Sequence, residues 1–110
     1  MPRSKIETFI GFSIRSRSLV AGTNAIAFCK RVEVIFLCHT ASENARKEAM
    51  KLARRYGALL VLSKVTLLDD LVFKNNIKMF AITDKKLAKA VMENIDETYE
   101  IIFRGEDINE

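Results

Sequence analysis

Val32-Glu33-Val34-Ile35-Phe36-Leu37-Cys38 decides the fold. Six of these seven residues are apolar, and the stretch mixes β-branched, aromatic and aliphatic side chains with a single charge at Glu33. A strand with one wet face alternates polar and apolar residues. A run without alternation reads as a central strand buried on both faces, which requires helices packed above and below it. Ser42 then reads as the cap of a helix, with Glu43 and Asn44 in its first turn and Ala45, Ala49, Leu52, Ala53 and Tyr56 turned inward. Gly57 is the natural residue just past that helix, where the chain turns left-handed.

Working outward, Ile6, Phe9, Ile10 and Ile14 recur near helical period over Lys5–Arg15. Arg15, Ser16, Arg17 and Ser18 form a basic turn, and Leu19-Val20 a short extended piece. A second helix is expected from Thr23 to Arg31. Further strands are expected at Leu59–Leu62 and Ile77–Thr83, with a short helix at Thr66–Phe73 between them. Asp84 caps a last main helix, Lys85–Asn94, which buries Leu87, Ala88, Val91 and Met92. Helices alternating with buried strands predict an α/β fold, a three-layer α/β/α sandwich around a small mixed sheet. Tyr99–Phe103 has the composition of one more short strand.

The 110 residues suffice for one domain with its own core, and 49% are apolar. We read residues 1–94 as that domain and 95–110 as an acidic C-terminal extension. No apolar run approaches the roughly 20 residues of a membrane helix, and Met1–Lys5 does not lead into a secretory signal. A cytoplasmic protein is expected, with no membrane partner and with Cys29 and Cys38 as reduced, buried thiols. Two cysteines and His39 match no zinc spacing, and no nucleophile motif surrounds His39. The expectation is a non-enzyme without metal or cofactor. The formal net charge of +4 divides unevenly: residues 1–92 carry +10 and residues 93–110 carry −6. A basic body favours polyanions through phosphate neutralisation and counterion release. The basic side chains of the third helix (Arg46, Lys47, Lys51, Arg54 and Arg55) are accounted for by solvation and by the negative end of the helix dipole.

Ala21-Gly22-Thr23-Asn24 is the candidate functional stretch. Gly22 has no Cβ and lets a partner approach the backbone. Thr23 and Asn24 are good N-cap residues, and free N–H groups at a helix start attract phosphate. The plainer interpretation is a helix cap and nothing more.

Taken together, Arg17-Ser18-Leu19-Val20-Ala21-Gly22-Thr23-Asn24, then Val34–Asn44, then Ala81-Ile82-Thr83-Asp84 follow a known order and spacing. Over roughly residues 5 to 94 the chain resembles the kink-turn RNA-binding family of ribosomal protein L-seven-Ae, in its small bacterial YlxQ-like branch. The resemblance implies a ribosome-associated protein that binds structured RNA, ribosomal or kink-turn-like, through Gly22, Thr23 and Asn24. Arg17, Lys30 and Arg31 would supply phosphate contacts, and Leu68 would lie in a second RNA-facing loop. The chain departs from the pattern at Ala25 and Phe28, where the family has a guanine-reading Glu and a backbone-contacting Lys. It departs again at Asp69 and Phe73, where the family has glycines. These departures imply relaxed or altered specificity. The alternative is a protein-interaction module that has lost RNA binding, with Phe28 and Phe73 in an apolar contact patch. Core packing is the commoner fate of a phenylalanine, and Phe28 is expected there.

Overall fold

The structure, a computed structural model, describes residues 5–104. The elements follow in the order α1 (Lys5–Arg15), β1 (Leu19–Ala21), α2 (Thr23–Ala27), β2 (Val34–Cys38), α3 (Glu43–Tyr56), β3 (Leu59–Ser63), α4 (Leu68–Val72), β4 (Met79–Ile82), α5 (Lys85–Glu93) and β5 (Tyr99–Phe103). The five strands form one mixed sheet in the order β1-β4-β2-β3-β5. Only β2 and β3 run parallel, and the other neighbours pair antiparallel.

β2 is the middle strand, and all five of its residues are buried. Its side chains divide by parity, as pleating demands. Val34, Phe36 and Cys38 enter a core with Ile6 and Ile10 of α1, Leu68, Leu71 and Val72 of α4, and Ala88 and Val91 of α5. Ile35 and Leu37 enter a second core with Ile26 of α2 and Ala49, Leu52 and Ala53 of α3. The three-layer sandwich expected from the sequence is the observed architecture. On the first face Phe36 stacks on Phe80 at 5.1 Å, and the Tyr99 ring meets Phe36 edge-on at 5.9 Å.

β5 lies beside β3 at the edge of the sheet, so the segment read as an acidic extension supplies a strand as far as Phe103. Residues 105–110 of that extension lie outside the described residues. The helix caps match their sequence signals. Ser42 Oγ accepts from the Ala45 N–H at 3.1 Å, Asp84 Oδ1 accepts from the Leu87 N–H at 3.0 Å, and Gly57 closes α3 at φ 64°.

The second helix is the main departure. It spans five residues rather than reaching Arg31. α3 ends it: the Tyr56 hydroxyl lies 2.6 Å from the Cys29 carbonyl and 2.8 Å from that of Ile26, and Arg55 Nη2 donates to the Ala27 carbonyl at 3.0 Å. Carbonyls at a helix end need partners, and here the neighbouring helix provides them. The chain then leaves α2, exposing Phe28 at 88% rather than burying it. Cys38 is buried as expected, whereas Cys29 is only half-buried.

Candidate functional site: the Gly22 turn and the open edge of β1

β1 is an edge strand with β4 on one side. The Gly22 N–H donates to the Met79 carbonyl at 3.1 Å, and the Thr83 N–H to the Ser18 carbonyl at 2.8 Å. Backbone groups alternate direction along an antiparallel strand. Ser18, Val20 and Gly22 therefore face β4, and the N–H and C=O of Leu19 and Ala21 face the open edge.

Gly22 holds φ 97°, a conformation that L side chains rarely adopt, and apart from its own residue and its chain neighbours no heavy atom lies within 4 Å of where its Cβ would stand. The glycine is required by the turn and not by crowding, and its surface is open to approach. It is itself the N-cap residue of α2, with no side-chain cap. Thr23 is thus the first helical residue rather than the cap, and its hydroxyl points to Met79 Sδ at 3.7 Å. Asn24 and Ala25 are exposed. Five residues are too few to build the dipole that would make a helix start an anion site. What remains is the open glycine turn and the strand edge beside it.

Next to that turn lies a hollow of about 210 Å³ lined by Ile14, Arg17, Leu19, Ala21, Val72 and Lys74. Two cations, an aliphatic wall and the free edge of β1 meet there. Arg17 sits at φ 62°, just past α1, where the Ser18 N–H reaches the Ser13 carbonyl and the Arg17 N–H that of Ile14. This is the hydrogen-bond pattern of a helix end that normally takes glycine. Lys74 follows α4 and was not singled out in the sequence, because its partner across the hollow is 57 positions earlier in the chain.

The other expected site residues do not join this cluster. Leu68 is fully buried in the α1–α4–α5 core, so its side chain cannot face a ligand. Lys30 and Arg31 are exposed, but they lie beyond the end of α2, toward the start of β2 and away from the Gly22 turn. Asp69, where the resembled pattern has a glycine, accepts from the N–H groups of Asn76 (3.0 Å) and Ile77 (2.7 Å). Those hydrogen bonds, the one from Ile77 first, hold its carboxyl below the usual value of 3.8. Its charge shapes the α4–β4 loop. Phe73 keeps the left-handed conformation of a glycine position at φ 57° and is 70% exposed. His39 is exposed, with Nδ1 3.1 Å from the Ser63 carbonyl. No helix among the described residues is long and apolar enough to cross a membrane.

The fold and this edge define a small α/β/α sandwich with a basic, open-edged turn. No family model and no curated protein matches the chain. Among solved structures, it is similar to a protein of unknown function from Bacillus halodurans, at 18% identity and a TM-score of 0.69, over 86% of this chain and 100% of that one. At that identity the likeness concerns the fold.

Proposed function

We propose that the protein is a non-catalytic binder of structured RNA, associated with the ribosome, with relaxed or altered specificity relative to the kink-turn binders it resembles. The observation that carries this reading is the open Gly22 turn beside a hollow that joins Arg17 and Lys74 to the free edge of β1. Cations there hold phosphates, while the bare turn and the edge amides admit a splayed nucleotide. Ala25 and the exposed Phe28 stand where the resembled pattern has Glu and Lys, so the base-reading group and one backbone contact are lost, and Arg17 and Lys74 are left to hold the phosphates. A cytoplasmic location accords with this role.

A gel-shift series with a kink-turn RNA tests the reading. Binding should be weak and salt-dependent, and Gly22→Glu should reduce it at least tenfold. Ala25→Glu with Phe28→Lys should strengthen it and sharpen the preference for tandem G·A pairs. Absence of RNA binding, or indifference to Gly22→Glu, would overturn the proposal. One observation favours the second reading, a protein-interaction module: Phe28 and Phe73 are exposed at 88% and 70%. Exposed aromatic side chains of this kind anchor protein contacts. In that case the parent chain would not shift RNA, and Phe28→Ala would abolish a salt-insensitive partner contact.

A further inference from the structure

The sheet topology collects basic residues at one end of the sandwich. β2 and β3 are parallel, so the segments that lead into them lie at the same end. Lys30 and Arg31 precede β2, and Arg54 and Arg55 close α3 just before β3. β4 runs antiparallel to β2, so its last residue reaches this end too and delivers Lys85 and Lys89 of α5. Hydrogen bonds tie the pieces together. The Leu59 N–H donates to the Glu33 carbonyl at 3.3 Å, the Glu33 N–H to that of Ile82 at 2.9 Å, and Arg55 to that of Ala27. The Arg54 guanidinium lies 5.9 Å over the ring of Phe103, where β5 finishes. Lys85 and Lys89 line a hollow of about 300 Å³ together with Glu33 and Gly57. All six cations are exposed. Among the described residues Glu33 and Asp84 stand against them, and the Asp84 carboxylate is occupied in capping α5.

Helix dipoles explain only part of this. Arg54 and Arg55 sit at the C-terminus of α3, where cations are stabilising. Lys85 sits in the first turn of α5, which holds no acidic residue, so it works against the dipole. The Lys51–Glu48 ion pair involves none of the six. The cations come from helices of both layers, α3 and α5, and from the loop that leads into β2 between them. A set of exposed cations spread over three segments matches an extended polyanion better than a single phosphate.

We propose that this end of the sandwich is a second RNA-docking surface, which holds the phosphate backbone of a helical RNA segment without reading its bases. The inference rests on the RNA reading above and adds a surface at the opposite end of the sheet from the Gly22 turn, adjoining the first hollow only through Arg17, which leads into β1 at this end. Each phosphate neutralised adds about 0.9 to the slope of log affinity against log salt on a duplex.

The test uses the full chain and an RNA hairpin of about 20 base pairs, enough to span two minor grooves. One variant carries Lys30→Gln, Arg31→Gln, Lys85→Gln and Lys89→Gln. A control carries Lys5→Gln, Arg46→Gln, Lys47→Gln and Lys64→Gln, which remove the same charge near the opposite end of the sheet. All eight side chains are exposed, and circular dichroism and thermal melting check that both variants fold. The expected result is a salt slope lower by at least about 2 and an affinity at least tenfold weaker at low salt for the first variant, with the control within about 1 of the parent slope. Equal losses in both variants would mean a diffuse charge effect and overturn the proposal. Unchanged binding by the first variant, with Gly22→Glu still damaging, would overturn the second surface and leave the Gly22 site standing. An acidic protein partner at this end would give that same unchanged RNA result. Failure of the parent chain to bind any RNA would overturn both readings.

Discussion

At residue 17 the backbone turns left-handed under an arginine, in the place where a helix end prefers glycine. The conformation costs an L side chain about 1 kcal/mol relative to glycine. Arg17→Gly should therefore raise folding stability by roughly that amount while weakening RNA binding, because it removes one of the two cations of the hollow. Urea unfolding and a binding isotherm on the same protein check the two effects. A loss of stability would show that Arg17 is held by contacts that outweigh the strain. At residue 69 the lesson is about charge. The Asp69 carboxylate holds two loop N–H groups and titrates below its ordinary value of 3.8, so its folded form is the more acidic one. Its stabilising effect is present above about pH 4 and is lost as the pH falls through the folded value. Asp69→Asn should lower the melting temperature at pH 7 and flatten the acid limb of the stability curve. A melting temperature measured from pH 2.5 to 7 reads both.

At the scale of elements, β5 shows how a segment can be acidic in sequence and structural in space. Tyr99 is buried against Phe36, and Tyr99–Phe103 pairs with Leu60–Ser63 across an irregularity at Leu60/Val61. A chain ending after Asn94 loses this strand and uncovers β3. It should melt well below the full chain or fail to fold, whereas a chain ending after Arg104 keeps every described strand. Differential scanning calorimetry of the two truncations separates the cases. α2 carries the opposite lesson. Its sequence continues in helical spacing to Arg31, but Tyr56 and Arg55 of α3 take its last carbonyls and end it at Ala27. Local periodicity proposed the helix, and a side chain about 30 positions away set its length.

At the scale of the whole molecule, two cores share one sheet, and β2 contributes to both. Phe36 stacks on Phe80 and receives the edge of Tyr99, so it links β2, β4 and β5. Phe36→Ala should cost roughly 3–5 kcal/mol, the range for emptying a fully buried aromatic site. The loss should appear in a single cooperative transition, seen alike by far-UV circular dichroism and tyrosine fluorescence. Separate transitions would mean that the two faces unfold independently.

The sequence by itself determined the layers. Val34–Cys38 has no polar face, so helices had to cover it on both sides. Ser42, Gly57 and Asp84 fixed helix ends through hydrogen bonds and backbone freedom that act over three to five residues. Gly22 was legible for the same reason, since its role depends on its own φ. Only the tertiary structure decided which charged and apolar side chains share a surface. It buried Leu68, exposed Phe28, turned Asp69 onto its own loop, and brought Arg17 to Lys74 and Lys30 to the end that holds Lys85. Those outcomes depend on strand order and on which helix caps which. Both are long-range packing choices, and a short window of sequence carries no signal for them.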